Sequence, residues 1–477
     1  MSGIKLKIVL LNCMRGVSNM KKKIEDVFII IAFFFGLISI MLLPPFQSPD
    51  ESSHYQRAYS ISKGQLYYSI VDSKKGIYIE DELTNYISSF GRFNGNVNEK
   101  FSYGDMYFGQ EMPKLPTSRT HKYFSTIETS FIAYLSSSLG IITSKIFRFG
   151  IFHQSTTYVY SLYFARLFDL LLYIGLMYFA IKKTPVLKKS MFTVALLPMC
   201  VMLASSCSYD GLVFGSSCLI FSHIMSLIYG SDKKFCFRDV LFFIVFGFFL
   251  FFVKYVYILL LGLLLFVPND RFNSRRDKAF KVVLVFGSIL LLYFMFNVPN
   301  YINSIAGEST ANGQINFILS NPFKYASILL NNMYTQFGIQ LSWILGGFGN
   351  LDSHFPGFIY FVMFTYLICL FIFDASDVDN KLTFKFKLCN FIILFLIVCG
   401  IYTALYVVWT PVGSDTIAGV QGRYFIPIVI FTPLLIFGNH FSKKFSGVNE
   451  FINCYYMYFS VMFLVLYCLI LLFRFWC

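Results

Sequence analysis

Long apolar runs alternate with short polar segments along most of the chain. A run of about 18 or more apolar residues is long enough to cross the hydrocarbon core of a bilayer as a helix. The first predicted span covers about residues 26–45. Later spans are predicted near residues 156–181, 185–206, 211–229, 239–253, 255–267, 279–297, 356–373, 388–409, 424–438 and 452–473. The pattern predicts an all-α integral membrane protein with about eleven transmembrane helices.

Three longer segments separate these runs, at residues 46–155, 298–355 and 410–423. Within the first, residues 126–147 are apolar on one side only, which is typical of a helix that lies in the membrane interface. We expect residues 46–155 to form a large external loop with interfacial helices, and the other two to be external loops. No internal repeat or low-complexity linker marks a separate soluble unit, so residues 1–477 are predicted to form a single membrane domain.

Composition supports this class. The 477 residues are 56% hydrophobic and include 59 Phe and 32 Tyr, more apolar surface than one soluble core can bury. A net charge of +14 would suggest nucleic acid as the partner of a soluble protein, but here the basic residues collect in short loops on one side of the predicted spans. These are Lys182, Lys183, Lys188, Lys189, Lys233, Lys234, Arg271, Arg275, Arg276, Lys381, Lys385, Lys443 and Lys444. No nucleic acid is therefore expected.

The positive-inside rule makes that basic side cytoplasmic, with residues 1–25 as a cytoplasmic N-terminus. Residues 239–267 could be one tilted helix or two short ones, and only two preserve the charge pattern. The first span is predicted to be an uncleaved anchor, since Pro44-Pro45-Phe46 replaces the small residues of a signal-peptide cleavage site.

The acids Asp50 and Glu51 follow the first span directly, in a chain that is only 13% charged. One interpretation is structural: Ser48 as N-cap and Glu51 at the third helical position form a capping box, and Gly64 ends the helix. The other is functional. Asp50, His54 and Arg57 are spaced i, i+4 and i+7, so they share one helical face at the membrane surface. On that face an ionised Asp50 suits a general base.

Three further groups are predicted on the external side. Asp210 is either the cap of a helix or a site residue. Lys254, next to Tyr255 in an apolar run, either snorkels to the interface or holds an anionic phosphate. A Gly-rich loop ends in Gln421-Gly422-Arg423-Tyr424, where the arginine is either an interfacial anchor or a phosphate ligand.

Two other features of the sequence bear on the site. The turn that ends at Asp352 is also Gly-rich, and it could be only a re-entrant turn. Arg166 and Asp169, three residues apart in one span, are predicted to neutralise each other.

In order, Pro49-Asp50-Glu51-x-x-His54, Ser208-Tyr209-Asp210, Lys254-Tyr255, Gly349-Asn350-Leu351-Asp352 and Gln421-Gly422-Arg423-Tyr424-Phe425 resemble the landmarks of one bacterial family. It is a domain-of-unknown-function family of polytopic membrane proteins, placed with the GT-C glycosyltransferases. The resemblance covers roughly residues 25–440. One departure is Asn350, where Trp is expected.

The resemblance implies a GT-C-like helical bundle in the bacterial cytoplasmic membrane. It also implies an inverting glycosyltransferase that uses a polyprenyl-phosphate-linked sugar as donor. Asp50 and Glu51 would then be the catalytic acids. The substrate and phosphate ligands would be His54, Arg57, Asp210, Lys254, Tyr255, Asp352, Gln421, Arg423 and Tyr424.

The expected partners are the bilayer, the polyprenyl-phosphate-sugar donor, and a glycan acceptor that is a surface polysaccharide or its lipid-linked precursor. No cofactor is required, although Mg²⁺ or Mn²⁺ held by Asp50 and Glu51 stays open. Three other functions also stay open: a flippase for lipid-linked oligosaccharides, a polysaccharide polymerase, and a non-catalytic scaffold. A flippase would place broken helices and charges near the bilayer midplane.

Overall fold

The computed structural model describes residues 23–107, 118–230, 234–305, 311–375, 382–436 and 445–477. Four of the residues used to orient the chain lie outside this part: Lys233, Lys381, Lys443 and Lys444.

The described part of the chain is mostly helical. The α-helices are α1 Ile24–Leu42, α2 Glu51–Ser62, α3 Asp81–Ser89, α4 Leu135–Phe152, α5 Tyr158–Lys183, α6 Lys188–Ala195, α7 Pro198–Ala204, α8 Asp210–Tyr229, α9 Phe237–Val253, α10 Arg275–Ile305, α11 Ala311–Ser320, α12 Pro322–Gly346, α13 Gly357–Asp374, α14 Phe384–Trp409, α15 Ile426–Val429 and α16 Ser446–Phe475. Short 3₁₀ helices are Phe90–Phe93, Tyr103–Tyr107, Phe131–Tyr134, Tyr255–Phe266, Asn269–Arg271, Gly422–Phe425 and Thr432–Leu435.

Seven helices of the described chain are long and apolar enough to cross a membrane: α1, α5, α8, α10, α13, α14 and α16. Large apolar side chains cover their outer surfaces, as in Phe34 and Phe361, which are 58% and 72% exposed. Such faces are stable against lipid and costly in water. The chain is a multi-pass membrane protein, and the lipid bilayer is its partner.

Two predicted spans, 185–206 and 424–438, are broken rather than continuous. Residues 185–206 divide into α6 and α7, because Pro198 lacks the N–H that a continuous helix needs and instead begins a new one. Residues 239–267 form two separate helices, as predicted: α9 and a 3₁₀ helix meet at Lys254, whose backbone is extended. Residues 424–436, the described part of the predicted span 424–438, contain only short turns of helix around Pro427 and Pro433.

The predicted external segments contain more structure than expected. Residues 46–155 hold an antiparallel sheet in the order β1 Ser69–Val71, β2 Lys74–Glu80 and β3 Arg119–Lys122, in which Gly76 pairs with Ser69 and Ile77 with Lys122. Residues 298–355 contain α11, α12 and a hairpin of β4 Gly347–Phe348 with β5 Ser353–His354. The predicted helix within residues 126–147 is present as Phe131–Tyr134 followed by α4, which packs along α5.

Contacts between the ends of helices distinguish the two ends of the bundle. At one, the Trp476 indole N–H donates to the Leu42 carbonyl (2.8 Å), so α16 and α1 finish together. At the other, the Ser190 backbone N–H donates to the Asp374 carboxylate (2.7 Å), so α6 begins where α13 ends. We call these the Leu42 end and the Asp374 end.

Candidate functional site

The turn before α2 differs from the predicted capping box. Asp50 adopts the left-handed conformation (φ 58°) as the residue that precedes the helix, and its side chain makes no capping hydrogen bond. Asp is among the few non-Gly residues that adopt this conformation readily. The buried Ser48 hydroxyl has no hydrogen-bond partner among the described residues, so it is not a cap. The capping-box prediction is therefore wrong, although the helix does end just before Gly64 (φ 87°).

Glu51 forms a buried ion pair with Arg166. Both side chains are fully buried, and the guanidinium donates to the carboxylate at 2.6 Å and 2.8 Å. Glu51 also accepts the backbone N–H groups of Phe46 and Cys207, both at 2.9 Å. Arg166 donates in addition to the Leu43 carbonyl at 2.7 Å. Glu51 thus joins the end of α1 to the loop that precedes α8.

This arrangement corrects two predictions. Because both carboxylate oxygens of Glu51 face Arg166, the geometry does not fit the predicted role of Glu51 as a catalytic acid or metal ligand. Arg166 does not pair with Asp169 as predicted, because Asp169 instead accepts a hydrogen bond from the Ser137 hydroxyl at 2.6 Å.

Asp50 and Asp210 meet at Arg423. The Arg423 guanidinium donates to Asp50 through one nitrogen and to Asp210 through another (3.2 Å), and also to the Pro49 carbonyl (3.0 Å). The Arg423 side chain is only 3% exposed and that of Asp210 12%, whereas the Asp50 side chain is 46% exposed. Asp50 is therefore the acid of this cluster that solvent and substrate can reach.

Lys254 completes the same cluster. Its ammonium lies 3.3 Å from the centroid of the Tyr424 ring and 5.9 Å from that of Tyr209. The Arg423 guanidinium carbon is 5.1 Å from the Tyr424 ring centroid, so one tyrosine contacts both cations. A cation over an aromatic face is stabilised by the ring quadrupole, which compensates for part of its lost hydration. We call Asp50, Asp210, Lys254, Arg423 and Tyr424 the Asp50 cluster.

The protonation of Asp50 and His54 follows from their surroundings. Burial raises the pKa of the Asp50 carboxyl, but the charge of Arg423 opposes this and leaves the pKa below its usual value. Burial, together with the charge of Arg423, lowers the pKa of His54 to about 4. At neutral pH Asp50 is therefore ionised and His54 is neutral.

His54 supports the cluster from inside the protein. Its Nδ1 shares a 2.7 Å hydrogen bond with the Tyr134 hydroxyl, and its ring packs edge-on against Tyr209 at 4.8 Å between centroids. Sequence reasoning missed both tyrosines as members of this site. The position of Tyr209 directly before Asp210 could have indicated its place in the site. Nothing in the sequence around Tyr134 indicates such a role.

Two of the remaining predicted site residues, Arg57 and Asp352, have their partners outside the Asp50 cluster. Arg57 donates to the carbonyls of Thr129 (3.1 Å) and Leu66 (2.7 Å), so its guanidinium is engaged at the end of α2. Asp352 pairs with Arg474 at 2.7 Å and, in the described part of the chain, makes no hydrogen bond to a member of the Asp50 cluster.

Tyr255 and Gln421 adjoin cluster residues in the sequence. Tyr255 is 55% exposed beside Lys254. The buried Oε1 of Gln421 has no hydrogen-bond partner in the described part of the chain.

A small cavity adjoins the cluster. Asp210, Lys254, Arg423 and Tyr257 line it, and at about 10 Å³ it has room for about one water. Asp50 does not line this cavity, and its half-exposed side chain is open to molecules larger than water.

The chemistry of the donor set also bears on the predicted divalent ion. Asp50 bonds Arg423 while Glu51 faces Arg166, so the two acids do not form the predicted metal pair. Within the described residues, no group of three or more His, Cys, Asp and Glu side chains is placed to hold a metal. That leaves a divalent ion neither supported nor opposed.

Comparison with known proteins gives a family but no activity. The family model described as "Predicted membrane protein (DUF2142)" matches residues 33–432, which include the whole Asp50 cluster. No curated protein matches the chain. Because the match covers most of the sequence, the chain belongs to the DUF2142 family of predicted membrane proteins.

Proposed function

We propose that the protein is a membrane glycosyltransferase of GT-C type. It transfers a sugar from a polyprenyl-phosphate carrier to a surface polysaccharide or its lipid-linked precursor, at the external face of a bacterial cytoplasmic membrane. One observation carries the proposal: an accessible carboxylate, Asp50, lies beside two cations, Arg423 and Lys254, at the Leu42 end of a membrane bundle.

Asp50 is suited to be the general base. Its lowered pKa keeps it ionised, and its side chain is 46% exposed, so an acceptor hydroxyl can approach it. The hydroxyl oxygen attacks the anomeric carbon of the donor sugar and its proton passes to Asp50. The bond from that carbon to the phosphate oxygen breaks, and polyprenyl phosphate leaves with the electron pair. A single displacement inverts the anomeric configuration.

The leaving phosphate requires cations that are fixed in advance. Among the described residues, Arg423 contacts two carboxylates, whereas Lys254 contacts aromatic rings and has no carboxylate within 4 Å. Lys254 therefore has no carboxylate counter-ion in contact, which leaves its ammonium available to an anionic ligand. We assign Lys254 to the leaving phosphate and Arg423 to holding Asp50 and Asp210 in place.

The proposed membrane threading has eleven crossings, counting the broken spans as passes. Contacts at the two ends support it. Cys207, after α7, reaches Glu51 at the Leu42 end, and Lys254, after α9, reaches Tyr424 there. At the Asp374 end Lys188 lies 3.7 Å from Glu25, at the start of α1. With an odd number of crossings, α1 and α16 end on the same side of the membrane, as observed. The positive-inside rule makes the Asp374 end cytoplasmic.

A flippase or transporter is the alternative from another class. Broken helices at Pro198 and Lys254 are features that transporters share. The Asp50 cluster, however, lies at one end of the bundle rather than midway along it. A polymerase shares the carrier and the membrane face, and differs in the product. A scaffold needs no accessible base beside a cation.

Glycan analysis of a deletion strain tests the proposal. We expect the strain to lose one sugar or linkage from its surface glycan, and wild-type protein to restore it. Asp50→Asn should not restore it although the protein inserts normally. Asp415→Asn is the matched control, an 80% exposed acid in the loop that precedes Arg423. Restoration by Asp50→Asn would remove Asp50 from the mechanism. Shortened chains would favour a polymerase, and total loss of surface glycan would favour export.

A further inference from the structure

The 3₁₀ turn Gly422–Phe425 directs three successive side chains into three different cavities. A 3₁₀ helix has 3.0 residues per turn, so neighbouring side chains point about 120° apart. Arg423 lines the small cavity described above, Tyr424 lines a second cavity beside Lys254, and Phe425 lines a third beside Gln340. The turn lies so close to α12 that a Cβ on Gly422 would be 2.6 Å from the Trp343 Cβ, which leaves room only for glycine.

The second cavity, which we call the Lys254 groove, has a volume of about 200 Å³. Its walls are apolar side chains of α14 and of residues 253–256, including Ile401 and Leu405. Its inner end carries the Lys254 ammonium on the Tyr424 ring. It therefore offers a cation at the head of an apolar channel, which suits a hydrocarbon chain attached to a phosphate.

The third cavity, the Gln340 groove, is larger, about 450 Å³. It lies between α12, α14 and residues 425–435, and its lining in the described chain includes no charged side chain. Residues 425–435 span roughly 15–20 Å at helical rises, about the depth of one leaflet. Phe337 and Phe395 at its rim are 64% and 41% exposed, so the groove is open along its side. A single long hydrocarbon chain fits this shape.

A polar group marks the head of the Gln340 groove. Gln340 is 6% exposed and donates its amide N–H to the Val420 carbonyl at 3.0 Å. Its buried Oε1 accepts no hydrogen bond from the described residues. Buried polar atoms are nearly always paired, so a free acceptor that lines a groove indicates a ligand that donates a hydrogen bond. This acceptor suits a ligand head that carries a hydroxyl or an amide better than a bare phosphate, which has only acceptor oxygens.

We propose that the two grooves hold two lipid-anchored substrates, with the acceptor in the Gln340 groove. This rests on the proposed function and specifies its acceptor: a glycan carried on a hydrocarbon chain with an uncharged, hydroxyl-bearing head. The donor's phosphate-linked chain occupies the Lys254 groove. Helix α14 separates the chains, with Ile401 and Leu405 facing one groove and Val398 and Tyr402 the other. The heads converge on the turn that carries Arg423.

Photo-crosslinking in nanodiscs tests this assignment without requiring turnover. The probes are an uncharged long-chain alkyl glycoside and a prenyl phosphate, each with a diazirine in its chain. We expect the glycoside to label residues 391–398 and 425–435, and the prenyl phosphate to label residues 253–256. Val429→Trp and Val398→Trp fill the Gln340 groove, and each should reduce glycoside labelling at least fivefold. Ala404→Trp fills the Lys254 groove and should reduce only prenyl phosphate labelling.

Three results would overturn the proposal. The first is that both probes label both grooves equally. The second is that both Val→Trp variants, as monodisperse protein, keep full glycoside labelling. The third is that ordinary phospholipid competes with the glycoside probe as strongly as unlabelled glycoside does. If Asp50→Asn retained transfer while the labelling pattern held, the base assignment would fail and the two-groove assignment would stand.

Discussion

Asp50 and Glu51 are adjacent carboxylates of the same chemical type in opposite surroundings. Glu51 is fully buried, and all its observed partners are the Arg166 guanidinium and two backbone N–H groups. Asp50 has a buried arginine on one side and solvent on the other. The two residues also differ in backbone conformation, since Asp50 is left-handed and Glu51 begins the helix. A carboxylate enclosed on all sides supports the structure, whereas one enclosed on a single side is available for chemistry.

Replacing Glu51 with Gln should have the largest effect on stability. The change leaves Arg166 buried without its counter-ion, which costs about 3–5 kcal/mol when one partner of a buried pair is removed. We expect a lower melting temperature in detergent and less inserted protein. Asp50→Asn, at a half-exposed site, should change stability far less. Equal stability of the two variants would contradict the comparison.

Replacing Lys254 with Met tests whether the cations beside Asp50 contribute to sugar transfer. Removing the ammonium over Tyr424 should slow transfer by about 10²-fold, the scale of one preorganised group that stabilises a leaving charge. Lys254→Arg should recover part of that loss, because the charge returns. The check is the initial transfer rate at equal protein, with the melting temperature measured alongside. A rate that Lys254→Met leaves unchanged would remove Lys254 from phosphate binding.

Acidification should destabilise the fold through His54, which packs beneath Asp50. Its pKa is lowered to about 4, so the unfolded chain, with a histidine pKa of about 6.5, takes up the proton first. Stability is therefore complete above about pH 6.5 and declines as the pH falls toward 4. The expected loss at pH 5 is about 2 kcal/mol.

Melting temperatures of wild type and His54→Asn at pH 7 and pH 5 check this sign. Asn retains polarity but does not titrate, so the variant should show the smaller drop between the two pH values. If the melting temperature of His54→Asn fell between pH 7 and pH 5 as much as that of wild type, groups other than His54 would cause the acid sensitivity.

The sequence located much of this architecture. Apolar runs predicted the long helices, and the threading placed Asp50, Asp210, Lys254 and Arg423 at one end, where the structure brings them together. The pairing of Glu51 with Arg166 could not be predicted, because 115 residues separate them and Asp169 offered a nearer partner. The left-handed turn at Asp50 was also hidden, since Ser48 and Glu51 form a good local capping pattern that tertiary contacts override. The same holds for the sheet within residues 46–155, whose pairing depends on β3, some 40 residues after β2.

The transfer rate of Asp50→Asn tests the central claim most directly. Membranes of the deletion strain, loaded with radiolabelled sugar on their own lipid carriers, would be fused with vesicles that contain purified wild type, Asp50→Asn or Asp415→Asn. A general base contributes about 10²–10⁴-fold, so Asp50→Asn should transfer at least 10²-fold more slowly, with an unchanged elution profile. Asp415→Asn should equal wild type. A wild-type rate from folded Asp50→Asn would contradict the account.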